Sequence, residues 1–147
     1  MMSRAQVITM QIASVLTTIT GVVFAIMKYG MKSDDPFAVA NHPMQPYMLS
    51  AHVVIAPLLV FAFGWIFGNH IAPDFANRVA PRWKSGVFAA AVVVPMIASG
   101  YLLQIATADA LHQAMAVAHW VSSAFFVIAY TTHQLIRKNG ERAPRPE

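Results

Sequence analysis

Four long apolar stretches constrain this chain more than any other feature of its sequence. They run over about residues 7–29, 48–71, 86–106 and 111–136. Each reaches the roughly 20 residues that a helix needs to cross a ~30 Å hydrocarbon core. Because backbone polar groups in lipid must pair within their own segment, the stretches predict α-helices. The predicted fold is therefore all-α, an integral membrane, up-and-down four-helix bundle with short connections.

The composition agrees with a membrane protein and excludes several functions. Of the 147 residues, 57% are hydrophobic and 11% are charged, against roughly 25% charged residues in soluble domains. The absence of cysteine excludes disulfides, thiolate catalysis, cysteine-ligated clusters and CxxCH attachment of haem. We expect a single transmembrane domain over residues 1–147, with no internal repeat, no nucleic-acid binding and a disordered polar tail over about 139–147.

The basic residues predict the orientation of the helices in the membrane. Four crossings place the N-terminus, the 72–85 connection and the tail on one side. That side holds eight of the ten basic residues: Arg4, Arg78, Arg82, Lys84, Arg137, Lys138, Arg142 and Arg145. The positive-inside rule then predicts a multi-pass protein of a bacterial inner membrane with both termini in the cytoplasm. The first stretch, at about 23 residues, exceeds the roughly 7–15 of a signal peptide, and we expect it to stay uncleaved.

The second and the last stretch each carry a histidine near either end. His52 and His70 are 18 residues apart, which is five regular helical turns, so both should point the same way about 27 Å apart. His119 and His133 are 14 residues apart, a rise of about 21 Å. Because ionisable residues inside membrane helices are usually functional, we expect two paired levels. His52 pairs with His119 near the outer face, with His112 as an alternative, and His70 pairs with His133 near the inner face.

Two histidines at each level favour haem over a bare metal ion. Neutral imidazole ligates iron, copper and zinc, but a bare ion usually takes three or four protein ligands. No aspartate, glutamate or cysteine accompanies these histidines within the stretches. A porphyrin already supplies four nitrogens and needs only two axial ligands. The prediction is therefore two bis-histidine haem b groups, serving electron transfer in an oxidoreductase complex rather than a stand-alone enzyme.

Further residues are candidates for contacts with the haem. Arg78, Arg82 and Lys84 can pair with haem carboxylates or with lipid headgroups. Gly100 can let a ring approach the backbone closely. Tyr101 beside it is either a pocket residue or an interfacial anchor.

Two more histidines are candidates for a quinone site. His42 lies in the 30–47 connection, where Pro36, Pro43 and Pro46 predict an ordered irregular loop, and an exposed loop histidine is its plainer interpretation. His112 lies at the start of the last stretch.

This pattern resembles the membrane-bound b-type dihaem cytochromes, namely the cytochrome b561-like proteins and the cytochrome b subunits of formate dehydrogenases and hydrogenases. The likeness lies in His119 and His133 on the last helix, the histidine-bearing second helix and the SGYLL stretch before the last helix. It implies bis-histidine haem b and electron exchange with a quinone pool. It also implies a partner redox subunit or a periplasmic cytochrome, in a homo- or hetero-oligomer. The first stretch lacks the histidine of the formate dehydrogenase type, and His70 lies beyond the fourteen-residue spacing.

Three other functions compete with this interpretation. A haem-free membrane anchor or assembly subunit of a respiratory complex would use its histidines for core packing or for a quinone pocket. A small transporter would use them as a proton relay, although such relays usually include acidic residues within the helices. A di-iron hydroxylase would need HxxxH or HxxHH boxes, which the sequence lacks.

Overall fold

A computed structural model of the chain describes residues 2–77 and 83–142, with the backbone alone for residues 74, 77 and 136–142. Its helices are α1 (Arg4–Ala25), α2 (Gln45–Ile66), α3 (Ala72–Asn77), α4 (Trp83–Ile105) and α5 (Asp109–Arg142). A π-helical turn extends α1 over Ile26–Gly30, and a second one extends α2 over Phe67–Ile71. The described residues contain no β-strand, and the predicted all-α class is confirmed.

Four helical segments are long and apolar enough to cross a membrane, as predicted. They are Arg4–Gly30, Gln45–Ile71, Trp83–Ile105 and Asp109–Leu135. Each begins two or three residues before the apolar stretch because polar residues form its first turn. At α1 the Ser3 hydroxyl accepts the Gln6 N–H, and the Gln6 side chain accepts the Ser3 N–H, which together form a capping box. At α2, Pro46 occupies the first turn, where a missing N–H costs no hydrogen bond.

The chain forms two compact units, Met1–His70 and Ile71–Glu147. The first unit is a hairpin of α1 and α2, and we call it the first hairpin. Its helices run antiparallel, since Gln6 near the start of α1 bonds the Trp65 carbonyl near the end of α2. Thr20, near the opposite end of α1, bonds His52 near the start of α2. The single transmembrane domain over residues 1–147 stays a prediction, and each unit is described by itself.

The second unit contains α3 and the antiparallel pair of α4 and α5, and we call that pair the second hairpin. Ser99 near the end of α4 lies beside His119, while Ser85 near the start of α4 bonds His133 further along α5. The connection between these two helices is short, covering only residues 106–108.

Small and medium-sized residues are the most deeply buried apolar residues in each hairpin. Ala13 and Ala62 are 0% and 1% exposed in the first hairpin, and Val93 is 1% exposed in the second. Small side chains let two membrane helices approach closely, which improves their van der Waals packing. Large apolar side chains point outward instead, for example Ile8, Ile12 and Ile19 on α1, as expected for surfaces that contact lipid chains.

Two local features differ from a regular helix. His70 lies inside the π turn Phe67–Ile71, so the five regular turns predicted between His52 and His70 do not hold at their end. A π turn contains an extra residue, which rotates the following residues by about 100° relative to a regular helix. Pro57 lies inside α2, and the helix continues through it.

The connection between α1 and α2 is irregular, as its prolines predict. Asn41 anchors it by donating from Nδ2 to the Lys28 carbonyl at 2.7 Å. The Asn41 N–H also donates to the Gln45 side chain at 3.0 Å. The loop is thereby tied both to the end of α1 and to the start of α2.

Candidate functional site

Three of the four predicted ligand histidines share one local arrangement, which we call the histidine seat. In a seat, a serine or threonine followed by glycine on one helix faces a histidine on the antiparallel partner helix. The hydroxyl lies within hydrogen-bonding distance of the histidine Nδ1, and the imidazole ring lies against the glycine. The three seats are Thr20–Gly21 with His52, Ser99–Gly100 with His119, and Ser85–Gly86 with His133.

The His52 seat belongs to the first hairpin. A Cβ added at Gly21 would lie 2.9 Å from His52 Cε1 and 3.2 Å from Nδ1, so the ring occupies the space that any other residue would need. Thr20 Oγ1 lies 3.1 Å from His52 Nδ1 and 2.9 Å from the Leu16 carbonyl. Because the hydroxyl has one hydrogen, which the carbonyl takes, we assign the Nδ1–H as the donor to Thr20. The neutral ring then carries its lone pair on Nε2.

The His119 seat belongs to the second hairpin and is more closely bonded. A Cβ at Gly100 would lie 3.0 Å from His119 Cε1. His119 Nδ1 lies 2.9 Å from the Met96 carbonyl, which can only accept, so Nδ1 carries the hydrogen. Ser99 Oγ is 3.4 Å from the same nitrogen and donates to the Pro95 carbonyl at 2.6 Å. His119 and His52 therefore share one tautomer, with the lone pair on Nε2.

The His133 seat, also in the second hairpin, is looser. A Cβ at Gly86 would lie 3.4 Å from His133 Cε1, which is close to ordinary contact. Ser85 Oγ lies 3.0 Å from His133 Nδ1, and this bond can form with either group as donor. The geometry therefore constrains the His133 tautomer less than the other two.

His70 lies outside the seat arrangement. His70 follows His52 on α2 by the same number of residues as Ser3 precedes Gly21 on α1. In a regular antiparallel pair, Ser3 would therefore be the counterpart of His70, and Ser3 is the N-cap of α1. The Ser3 hydroxyl accepts the Gln6 N–H in the capping box. His70 is half-buried, and none of the described glycines has it among its nearest contacts. The fourth predicted ligand thus has a different environment from the other three.

The two remaining histidines also differ from the seated ones. His112 is half-buried near the start of α5, and it faces none of the glycines described in the structure. Of the two outer candidates, His119 alone therefore has a seat. His42 accepts the Met44 N–H at Nδ1, 3.1 Å away, which places its hydrogen on Nε2. His42 in this form is a hydrogen-bond donor at Nε2, the opposite tautomer to His52 and His119.

The other predicted contact residues are spread over several environments. Arg78 and Arg82 lie outside the described residues, and Lys84 is exposed near the start of α4. Tyr101 is 52% exposed. Gly100 does permit the close approach of a ring, and that ring is the imidazole of His119.

The seated histidines fit the axial ligands of a haem. Histidine ligands usually donate one ring N–H to a carbonyl or another acceptor, which fixes the tautomer and leaves the other nitrogen to the metal. His52 and His119 have this arrangement. Among the described side chains, no group of three or more histidines, cysteines, aspartates or glutamates is placed to hold a metal ion. The pairings of His52 with His119 and of His70 with His133 join the two units and stay predictions.

Two of the seats have a signal in the sequence, which is the spacing of their residues. The step from Ser85–Gly86 to Ser99–Gly100 on α4 has the same length as the step from His119 to His133 on α5. Equal spacing on consecutive antiparallel helices indicates two equivalent contacts. Thr20–Gly21 is the corresponding hydroxyl–glycine pair on α1.

Comparison of the chain with protein-family models, with curated proteins and with solved structures finds no match.

Proposed function

We propose that this protein is a membrane-spanning b-type cytochrome that passes single electrons between the quinone pool and a partner redox protein. The observation that carries the proposal is the shared geometry of His52 and His119. Each lies on a membrane-spanning helix, rests against a glycine and donates Nδ1–H to the neighbouring helix. Such rings present Nε2 as the ligand nitrogen, which is the form that haem iron takes.

The chain's own groups hold and orient the axial imidazoles. The Thr20 hydroxyl fixes the rotation of the His52 ring, and the Met96 carbonyl fixes that of His119. Acceptors of this kind also make the ligand nitrogen more electron-rich. Haem b, when bound, would supply a one-electron couple, and the seated histidines would hold its iron. The function is then electron transfer as a subunit of a larger oxidoreductase system.

The proposed orientation and quinone contact depend on charged and polar groups outside the spans. The basic excess on the side of the termini supports a bacterial inner-membrane location with both termini cytoplasmic. His42 donates from Nε2, which suits the carbonyl oxygen of a quinone. Lys84, exposed near the start of α4, suits a haem carboxylate or an anionic lipid headgroup.

A haem-free membrane anchor is the second candidate, and one observation favours it. The hydrogen bonds at Nδ1 would equally satisfy a histidine that serves only to pack two helices. In that case the glycines would exist to admit the imidazole rings, and the protein would bind no chromophore.

Absorbance spectroscopy on the purified full chain separates the two candidates. The protein is produced in haem-replete cells and purified in mild detergent. We expect a reduced-minus-oxidised spectrum with b-type bands and a positive pyridine haemochrome assay. His52→Ala and His119→Ala should each weaken the bands.

The matched control is His112→Ala, which removes a membrane histidine without a seat and should retain the full absorbance. Circular dichroism confirms that each variant keeps its helix content. A colourless unaltered protein that is fully helical would overturn the cytochrome proposal and favour the anchor.

A further inference from the structure

We propose that the connection between α1 and α2 inserts the side chains of Phe37 and Val39 into the lipid headgroup region of the membrane. This contact goes beyond electron transfer and requires no haem. It involves the first hairpin alone, and it requires only that α1 and α2 cross a bilayer, for which both are long and apolar enough.

The connection carries an apolar run at its centre. Residues 36–40 read Pro-Phe-Ala-Val-Ala, with no polar or charged side chain among them. Phe37 is 90% exposed and Val39 is 103% exposed, which are the two highest values among the exposed large hydrophobic residues that the structure describes. Contact of these two side chains with water is unfavourable, so the run favours an apolar surface beside it.

Local hydrogen bonds hold this run in a turn. Asp35 Oδ1 accepts the Phe37 N–H at 2.9 Å, and the Asp35 carbonyl accepts the Ala38 N–H at 3.1 Å. The Asp35 N–H in turn donates to Ser33 Oγ at 3.2 Å. Because the N–H groups of Phe37 and Ala38 already have acceptors, moving the turn out of bulk water leaves neither donor unsatisfied.

The base of the connection lies at the membrane end of α1. The helical segment Arg4–Gly30 has 27 residues, a length of roughly 40 Å, so it extends beyond a hydrocarbon core of ~30 Å. Asn41 Nδ2 donates to the Lys28 carbonyl in its last turn at 2.7 Å. Phe37 precedes Asn41 by four residues, which span at most about 14 Å of extended chain. Phe37 is therefore held close to the headgroup level.

The residues around the run suit a lipid headgroup region. Lys28 lies in the last turn of the first span, and Lys32 is exposed just after it. Both ammonium groups can pair with headgroup phosphates. Tyr47, at the start of α2, is 69% exposed, and tyrosine is enriched at membrane–water interfaces. The connection thus has basic and aromatic residues on both sides of its apolar run.

The size of the apolar patch favours a bilayer over a protein as its partner. An aromatic side chain buries roughly 150–250 Å², whereas a stable protein interface needs roughly 800 Å² on each partner. Phe37 and Val39 together fall well short of that area. Insertion into a bilayer surface has no such minimum, since each apolar side chain gains from it independently.

Spin labelling tests this contact, because the chain has no cysteine of its own. Val39→Cys is labelled with a nitroxide and reconstituted into vesicles of phosphatidylcholine and phosphatidylglycerol. Its collisions with oxygen, which concentrates in lipid, and with a nickel chelate, which stays in water, are measured by electron paramagnetic resonance. The matched control is Asp34→Cys, an exposed polar position in the same connection. We expect the nickel accessibility at position 39 to be several-fold lower than at position 34, and the oxygen accessibility to be higher.

A second substitution shows whether the phenylalanine drives the insertion. Adding Phe37→Ser to labelled Val39→Cys should return the label to water, whereas adding Phe37→Leu should keep it in lipid. Circular dichroism confirms that each variant keeps its helix content.

Two results would overturn the proposed lipid contact. One is a label at position 39 that is as accessible to nickel as the label at position 34 while Phe37 is present. The other is a label shielded from nickel and oxygen alike, which would mean that a second copy or another protein covers the run. Neither result bears on the proposed cytochrome function, which the haem spectrum tests separately.

Discussion

The two hairpins differ in the polar contacts that join their helices. Each is an antiparallel pair of membrane helices joined near one end by a hydroxyl, a glycine and a histidine. At its other end, the second hairpin repeats this arrangement with Ser85, Gly86 and His133. The first hairpin uses Gln6 and a backbone carbonyl there instead. Each hairpin thus has a polar contact between its helices near both ends, and three of these four contacts use a histidine.

The largest expected effect comes from introducing a second histidine seat into the first hairpin. Combining Gln6→Ser, Val7→Gly and Ile66→His gives the first hairpin the residue pattern of the second at the fourteen-residue step that separates His119 from His133. We expect the haem content per chain to rise, because the variant adds a seated imidazole to the first hairpin. The haemochrome ratio measures it. Ile66→His alone is the control, and we expect a smaller gain because Val7 still fills the space beside the ring.

The triple variant also has a clear contrary result. A protein that keeps its helix content and binds no more haem than the unaltered chain would show that the fourteen-residue step does not decide where haem binds.

Alanine substitutions at the seat glycines should destabilise the protein in the order of how closely each glycine contacts its histidine ring. Gly21→Ala and Gly100→Ala place a methyl group 2.9 and 3.0 Å from a rigid ring, so each should lower the free energy of unfolding by about 1–3 kcal/mol. Gly86→Ala, at 3.4 Å, should cost less. Thermal denaturation in detergent measures the order.

The matched control is Gly64→Ala, because a Cβ there meets nothing within 4 Å. Removing a helical glycine should leave stability unchanged or raise it by up to about 1 kcal/mol. Equal losses at Gly21 and Gly64 would mean that the seats do not constrain the ring.

The hydroxyl groups should matter more in the first hairpin than in the second. Thr20→Val removes the hydroxyl that accepts the His52 Nδ1–H, whereas Ser99→Ala leaves His119 its bond to the Met96 carbonyl. Loss of such an orienting partner typically costs about 10–100-fold in metal affinity, and we expect Thr20→Val to fall in that range and Ser99→Ala below it. Haem titration of the apoprotein gives both constants.

Thr20→Ser is the rescue variant for that pair, because it restores the acceptor oxygen. If Ser99→Ala weakens haem binding as much as Thr20→Val does, the Met96 carbonyl is not an independent support for His119.

The smallest effect is expected at Ser14 on α1. Its hydroxyl is buried and has no hydrogen-bond partner, whereas the Ser122 hydroxyl of α5 donates to the Ala118 carbonyl at 2.6 Å. Removing an unsatisfied buried hydroxyl should be neutral or stabilising by about 1 kcal/mol, so Ser14→Ala should raise the melting temperature slightly. Ser122→Ala should lower it or leave it unchanged. A clear loss of stability in Ser14→Ala would indicate that this hydroxyl bonds a water or a ligand.

Much of the fold could be predicted from the sequence, because the ability of a helix to cross a membrane depends on its local composition. The four apolar stretches predicted four spanning helices, and the predicted boundaries miss the first turns by two or three residues because Ser3, Gln6 and Pro46 lie outside the apolar pattern. The prolines of the 30–47 connection likewise predicted an irregular loop. The π turn at His70 was not predictable from spacing, since counting residues assumes a constant number per turn.

The candidate histidines could be predicted from their positions in the sequence, but the residues that contact them could not. Gly21 and His52 are much further apart in the sequence than Gly100 and His119 are, so no fixed interval identifies a seat. The interval depends on the length of the connection, which covers residues 31–44 in one hairpin and 106–108 in the other.

The sequence by itself determined that this chain has four helices long and apolar enough to cross a membrane and carries histidines within two of them, because both facts depend only on the order and polarity of neighbouring residues. The tertiary structure decided which hydroxyl, carbonyl and glycine each histidine meets, and that His70 meets none of the glycines described. The physical reason is that these contacts depend on the register of two helices distant in sequence, and packing sets that register after the helices have formed.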